Sequence, residues 1–132
     1  MQIQYECIQK LDASEVVNVF KKSGITRPVD DLERIQRMID HADIIATARN
    51  NGQLVGIARA ITDYSYCCYL SDLAVDAEYQ RRGIGKELVR IIQDKLGDEV
   101  TLLLVSAPNV IDYYPRIGFE KSDKAFLIRR KR

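Results

Sequence analysis

The sequence is poor in the residues that metal sites, disulfide frameworks and nucleic-acid binders need. It has three cysteines, an odd number without zinc-like spacing, and a single histidine. Neither a zinc site nor a disulfide framework is therefore expected. The 20 lysines and arginines are balanced by 19 acidic residues, which leaves a net charge of +1. That balance argues against nucleic-acid binding driven by overall charge.

Long apolar runs are also missing. No stretch approaches the ~20 residues of a membrane-spanning helix, and the N-terminus lacks the charged-then-apolar pattern of a secretion signal. Repeats and low-complexity tracts are absent. The composition, 46% apolar and 30% charged, is that of an ordinary globular protein. We expect one domain over residues 1–132, in the cytoplasm and without a membrane partner.

The cysteines and the histidine suggest structural roles. Cys67 and Cys68 are adjacent and would face opposite sides of a strand, so at least one should be a buried thiol. A catalytic Cys–His pair would need His41, and nothing in the sequence brings His41 near a cysteine. His41 is instead expected to end the helix before it, where positive charge is favourable.

Hydrophobic periodicity predicts alternating strands and helices. The predicted strands are 2–9, 44–49, 54–61, 66–75 and 100–105, with two more from Phe119 onward and over 125–129. Predicted helices start at Ser14, at Asp30 and Asp31, and at Ile84, with a short one over 108–114. Asn51-Gly52 predicts a tight hairpin between two strands. The strand over 100–105 is almost wholly apolar, which predicts burial on both faces.

Residues 69–86 are the most informative segment. They read as an apolar strand, a polar turn, a glycine-rich loop and the start of an amphipathic helix. A helix N-terminus has unpaired N–H groups and partial positive charge, and Gly83 and Gly85 would let a phosphate approach them closely. A loop that merely connects a strand to a helix is the alternative.

Positive side chains surround the same loop. Arg81, Arg82 and Lys86 would add attraction for a phosphate. Leu88 stands where a dinucleotide-binding fingerprint has its third glycine, and the Walker-type sequence G-x-x-x-x-G-K-[ST] is absent. Both of those phosphate sites are therefore excluded.

Two motifs together resemble a known family. The loop Gln80-Arg81-Arg82-Gly83-Ile84-Gly85 resembles the Q/R-x-x-G-x-G/A signature of the GNAT superfamily of acetyl-CoA-dependent N-acetyltransferases, and Leu73-Ala74-Val75-Asp76 resembles the strand that enters it. Downstream, Tyr113-Tyr114-Pro115-Arg116-Ile117-Gly118-Phe119 resembles the family's second signature, F/Y-Y-x-x-x-G-F. Two signatures in the expected order are far more specific than one.

The resemblance implies an α/β fold of the α+β type, with a mixed, mostly antiparallel central sheet flanked by helices. Two parallel strands would splay apart and hold acetyl-CoA, the co-substrate, with its pyrophosphate on the glycine loop and its pantetheine along the strand. The implied cofactor-binding residues are Leu73, Val75, Gln80, Arg81, Arg82, Gly83, Ile84, Gly85 and Lys86. Asn109 would either hydrogen-bond the pantetheine or cap its own helix.

The resemblance places Tyr114 as the general acid for the departing thiolate, with a core or surface aromatic as the alternative. Tyr113 is expected to pack. Pro115 departs from the usual pattern and could kink the helix that carries Tyr114. No motif fixes a general base: Asp72 is the nearest carboxylate, but a structural role for it, or a water relay, would serve equally.

The predicted function is transfer of an acetyl group from acetyl-CoA to a primary amine of a small molecule or peptide, by direct attack in a ternary complex. The acceptor pocket is expected around residues 24–28 and the last strands. An acyl-CoA-binding regulatory module without transfer activity is the alternative, and a homodimer is left open. The basic tail, 129–132, is expected to be solvated or, less simply, to contact a ligand phosphate.

Overall fold

The computed structural model describes residues 1–132 and shows a five-stranded sheet with helices on both faces. The strands are β1 (Ile3–Ile8), β2 (Ile44–Asn50), β3 (Gln53–Thr62), β4 (Cys67–Val75) and β5 (Thr101–Leu103). The helices are α1 (Ala13–Ser23), α2 (Leu32–Asp40), α3 (Ile84–Leu96) and the single turn α4 (Tyr113–Arg116). Two 3-10 turns cover Ala77–Tyr79 and Pro108–Val110.

The strands follow one another in sequence order across the sheet. Pairing is antiparallel from β1 to β4, and β4 pairs in parallel with β5. The parallel connection passes through α3, as a crossover between parallel strands requires. The predicted mixed, mostly antiparallel sheet flanked by helices is confirmed.

Local sequence signals explain the ends of α1 and α2. Asp12, not Ser14 as predicted, caps α1, because the Asp12 carboxylate accepts the Ser14 N–H at 2.9 Å. Gly24, with φ +84°, ends that helix in the left-handed region. Asp31 caps α2, and His41 ends it as predicted.

Two apolar cores lie on opposite faces of the sheet. The first packs α3 against the sheet and includes Ile84, Leu88, Ile92, Leu70 and Cys68. The second packs α1 and α2 against the other face and includes Val16, Phe20, Ile35, Ile39, Ile57 and Ala74. The adjacent thiols of β4 therefore separate as predicted, with Cys68 buried and Cys67 exposed.

A β-bulge at Ser71 changes which face of the sheet each β4 residue meets. Arg59 pairs with Asp72 and Ala60 pairs with Leu70, so Ser71 has no partner on β3. Leu70 packs toward α3. Beyond the bulge the alternation is reversed, so Asp72 turns toward the α1 and α2 face.

The C-terminal part differs from the prediction. β5 covers only Thr101–Leu103, and the strands predicted from Phe119 and over 125–129 do not form. Burial of 100–105 on both faces is also wrong, since Leu103 is 46% and Val105 is 49% exposed. Val100, Leu102 and Leu104 pack against the α3 core, so only one side of this segment is covered, and no strand pairs with the outer edge of β5.

Candidate cofactor and acceptor site

The cleft predicted between the parallel strands is present. β4 and β5 pair over only three residues, ending at Tyr69 and Leu103. Beyond that point β4 continues to Val75 with β3 on one edge and nothing on the other. A free strand edge offers unpaired backbone groups to a ligand that adds itself as a strand.

The phase of the β3–β4 pairing shows which residues face the cleft. Antiparallel pairs alternate between those that exchange hydrogen bonds and those that do not. Asp76 donates its N–H to the Val55 carbonyl at 2.8 Å, one step beyond the pair of Val75 with Gly56. Val75 and Leu73 therefore direct their N–H and C=O groups away from β3, into the cleft.

The glycine loop forms a row of free donors at the start of α3. Arg81 (φ +65°) and Gly83 (φ +81°) both adopt left-handed backbone, which turns successive N–H groups toward a common side. The backbone N–H groups of residues 81–86 have no acceptor within the protein. The Gln80 side chain braces the loop, since its Nε2 donates to the Val75 carbonyl at 2.9 Å.

Side chains of the loop differ in what they can contribute. Ile84 is buried in the α3 core, so only its backbone N–H is available to a ligand. The Arg81, Arg82 and Lys86 side chains are exposed, and the Arg82 guanidinium lies 5.6 Å from the centre of the Tyr79 ring. These exposed positive charges are therefore accessible to an anion that binds the backbone donors.

Tyr113 reaches the same loop, which its predicted packing role did not include. A Cβ built on Gly85 would lie 2.5 Å from the Tyr113 hydroxyl oxygen. The hydroxyl oxygen makes no hydrogen bond within the protein, and the ring also meets Tyr114 edge-on with centroids 5.3 Å apart. The position of Tyr113 in the second signature was the one sequence feature that could have indicated this contact.

Tyr114 lies beside Tyr113 and packs edge-on against Phe119, with ring centroids 5.6 Å apart. Burial raises the pKa of the Tyr114 phenol, the neighbouring Tyr113 raises it further, and the charge of Arg27 opposes both. The phenol therefore keeps its proton at neutral pH and is available as a proton donor. Pro115 lies in the first turn of α4, where an N–H would be unpaired in any case, so it does not break the helix.

Asp72 is held in an ion-paired cluster. Its side chain is fully buried, and its two oxygens accept from Arg27 Nε at 2.6 Å and from Arg59 Nε at 2.5 Å. Each oxygen of this buried carboxylate is paired with a guanidinium, which favours the structural role for Asp72.

Asn109 is exposed in the 3-10 turn Pro108–Val110. Ala107 occupies the N-cap position, and the Asn109 side chain makes no hydrogen bond within the protein. The capping alternative is therefore wrong, and the amide is free for a ligand.

The two main cavities lie away from the glycine loop. The larger, of about 560 Å³, lies between the end of α3 and residues 117–124. The smaller, of about 190 Å³, is lined by Tyr114, Phe119 and Leu102 among others. Neither of these two cavities is lined by a residue of the glycine loop.

The profile of the acetyltransferase (GNAT) domain matches residues 13–128. This chain belongs to the GNAT acetyltransferase family. A GNAT relative, GCN5-related N-acetyltransferase 2, chloroplastic, of Arabidopsis thaliana, is 36% identical over 73 residues, which cover 52% of this chain and 27% of that protein. The chain thus spans about a quarter of that relative's length.

Solved GNAT structures share the fold over nearly the whole chain. A GNAT family acetyltransferase from Streptococcus pneumoniae matches with a TM-score of 0.80 at 21% identity, covering 98% of this chain and 100% of that one. The aminoglycoside N-acetyltransferase AAC(6')-Iy, solved with CoA, matches with a TM-score of 0.74 at 18% identity, covering 98% and 95%. None of the helices here is long and apolar enough to cross a membrane.

Proposed function

We propose that residues 1–132 act as one acetyltransferase domain that transfers the acetyl group of acetyl-CoA to a primary amine, by direct attack in a ternary complex. One observation carries the proposal. Six consecutive backbone N–H groups, from residues 81–86, lack acceptors at the N-terminus of α3, beside the free edge of β4. Such a row of donors suits a pyrophosphate.

The strand edge suits the pantetheine arm of the same ligand. The Val75 carbonyl already accepts from Gln80, so both backbone groups of Leu73 would pair with the amides of the arm, and the Val75 N–H stays free for the acetyl end. The exposed amide of Asn109, which follows β5 in the chain, would be a further donor to the arm. The exposed side chains of Arg81, Arg82 and Lys86 would neutralise part of the negative charge of the phosphates.

The chemistry needs a neutral amine, a donor for the oxyanion and a donor for the leaving thiolate. Alkyl ammonium groups have pKa values near 10.4, so the attacking amine must lose a proton, and we assign that step to water and not to Asp72. The Val75 N–H would meet the oxyanion. Tyr114, whose pKa is raised above its usual 10.0, would donate to the thiolate.

The test is acetyl-CoA turnover against a mixed panel of amines, peptides and aminoglycosides, with the released CoA thiol detected. Calorimetry with acetyl-CoA alone accompanies it. Binding together with Tyr114-dependent thiol release on at least one acceptor supports the proposal. Tight binding without transfer to any amine would favour the alternative, an acyl-CoA-binding regulatory module.

We also propose that a second copy of the chain covers the free edge of β5. Large apolar side chains are exposed there and in the C-terminal segment: Leu103, Val105, Phe126, Leu127 and Ile128. An unpaired edge strand beside exposed apolar chain is a template for pairing with another chain. Analytical ultracentrifugation should show a dimer that Phe126→Glu converts to a monomer.

We propose the cytoplasm as the compartment of the protein, because its three free thiols fit a reducing environment.

A further inference from the structure

Arg27 joins the α1–α2 connection to the bulge in β4. Its Nε donates to the Asp72 carboxylate at 2.6 Å, and its Nη2 donates to the Ser71 carbonyl at 2.7 Å. A third bond, from Nη1, goes to the carbonyl of the neighbouring Thr26 at 2.6 Å. These contacts fix the guanidinium beside the strand whose continuation forms the cofactor cleft.

The cluster around Arg27 has an unbalanced positive charge. Two guanidiniums share the one carboxylate of Asp72, and no other carboxylate pairs with Arg27 or Arg59. Asp72 is fully buried and the Arg59 side chain is only 7% exposed. One excess positive charge is therefore held where water screens it poorly.

The guanidinium of Arg27 is partly accessible. The Arg27 side chain is 24% exposed, and three of its N–H groups are bonded within the protein. A guanidinium has five N–H groups, so two remain for a ligand. The bonds to Ser71 and Asp72 hold the guanidinium next to Leu73, whose backbone faces the cleft, and the charge of Arg27 lowers the pKa of Tyr114 against the effect of burial.

We propose that Arg27 binds a carboxylate on the acceptor, so that the protein acetylates amines that also carry a carboxylate and disfavours polycations. The inference rests on the proposed acetyl transfer and names the substrate class. Free N–H groups of a fixed guanidinium suit the two oxygens of a carboxylate. A polycationic acceptor would bring like charge to a site that already has an excess of it.

The test compares three primary amines of matched length: 5-aminopentanoate, pentylamine and cadaverine. Their far ends are a carboxylate, a methyl group and a second amine, while the attacking amines are alike. We expect kcat/KM to be at least tenfold higher for 5-aminopentanoate than for either of the others. Equal values, or a preference for cadaverine, would overturn the inference.

Two variants assign the preference to Arg27. Arg27→Gln should abolish it by raising the KM for 5-aminopentanoate while leaving the KM for acetyl-CoA unchanged, and Arg27→Lys should restore part of it. Asp72 keeps Arg59 as a partner in both variants. Arg37→Gln is the matched control, because Arg37 is an exposed arginine of α2 without a carboxylate partner. A preference that survives in Arg27→Gln would contradict the assignment.

A binding measurement separates this inference from the proposed function. Pentanoate, which has no amine, is titrated into CoA-loaded protein while the Nε–H resonance of Arg27 is followed by NMR. A saturable shift of this resonance that persists in Arg37→Gln supports the carboxylate site even if no amine is acetylated, an outcome that would contradict acetyl transfer alone. If pentanoate causes no shift while some amine is acetylated, the carboxylate site is contradicted and the proposed acetyl transfer still stands.

Discussion

The hydroxyl oxygen of Tyr113 lies 2.5 Å from the point where a Cβ at position 85 would stand. Gly85 is therefore needed for close approach, since its φ is not in the left-handed region. The next nearest Tyr113 atom to that point is the ring carbon Cζ, at 3.6 Å. The steric conflict thus belongs to a single oxygen atom.

A double-mutant cycle between these residues tests the contact. Gly85→Ala should lower the free energy of unfolding by about 1 kcal/mol more in the wild-type background than in Tyr113→Phe, because the latter lacks the conflicting oxygen. Urea unfolding measures both. Tyr114→Phe is the matched background, in which the cost of Gly85→Ala should stay at its wild-type value. A cost that is the same in all three backgrounds would contradict the geometry.

Gly83→Glu tests the row of free amides. The substitution places an anion where a pyrophosphate is proposed and forces a side chain onto backbone with φ +81°. Acetyl-CoA affinity should fall at least tenfold, about 1.4 kcal/mol. Gly52→Glu is the control, because Gly52 has φ +83° and open surroundings in the distant hairpin turn. Calorimetry should find weakened binding in the first variant only.

Tyr114→Phe tests the proposed proton donor. The ring keeps its packing on Phe119, so acetyl-CoA affinity should change little, while kcat should fall by about 10²-fold. A larger loss is not expected, because a thiol pKa near 8.5 makes CoA a good leaving group unaided. Tyr113→Phe is the matched control with an expected kcat near wild type. Equal rates for wild type and Tyr114→Phe would remove the donor role.

Asp72→Asn tests the charge cluster. The change leaves Arg27 and Arg59 beside each other without a counter-charge, and breaking a buried pair in this way costs about 3–5 kcal/mol. Arg27→Gln keeps the pair of Asp72 with Arg59 and should cost clearly less. Thermal or urea unfolding ranks the two. A general-base role would instead appear as lost turnover in a variant of normal stability.

Asp63 gives a stability change at low pH. Its carboxylate accepts the backbone N–H groups of Ser65, Tyr66 and Cys67, which lower the pKa of Asp63 below its usual 3.8. The folded state therefore binds fewer protons, and the stabilisation, complete above pH 3.8, is lost as the pH falls through the lower folded value.

An amide at position 63 isolates this effect. Asp63→Asn keeps an acceptor oxygen but cannot titrate, so its unfolding free energy should fall less steeply with acid than that of the wild type. Asp98→Asn, at an exposed carboxylate without hydrogen bonds, is the matched control. Urea unfolding between pH 5 and pH 2.5 measures all three, and parallel curves would contradict the assignment.

The elements around the cleft could be predicted because their signals are local. Asn51-Gly52 specified the hairpin, and alternating residues specified the strands on either side of it. Gly97 follows α3, with φ +78°, where the helical periodicity ends. The glycine loop precedes α3 as its sequence indicated. In each case the residues that decide the conformation are the residues that adopt it.

The remainder depends on residues far apart in sequence. The residues over 100–105 are mostly apolar, but their burial depends on what covers the two faces of β5: Val100, Leu102 and Leu104 pack against the α3 core, and Leu103 and Val105 stay exposed. The pairing of Arg27 with Asp72 spans 45 positions and exists only because Ser71 is unpaired. The approach of Tyr113 to Gly85 depends on how α4 docks against the start of α3. No periodicity carries such information.

The unpaired Ser71 also divides β4 into two segments whose side chains alternate between the sheet faces in opposite phase. Removing that single residue would rejoin the alternation and exchange the faces of everything on one side of it. Either the Asp72 carboxylate would turn into the apolar core under α3, or Leu70 and Cys68 would leave that core. The side chain of Ser71 accepts only one hydrogen bond, from Arg59 Nη2. A one-residue deletion at this point should therefore destabilise the fold far more than any substitution of Ser71.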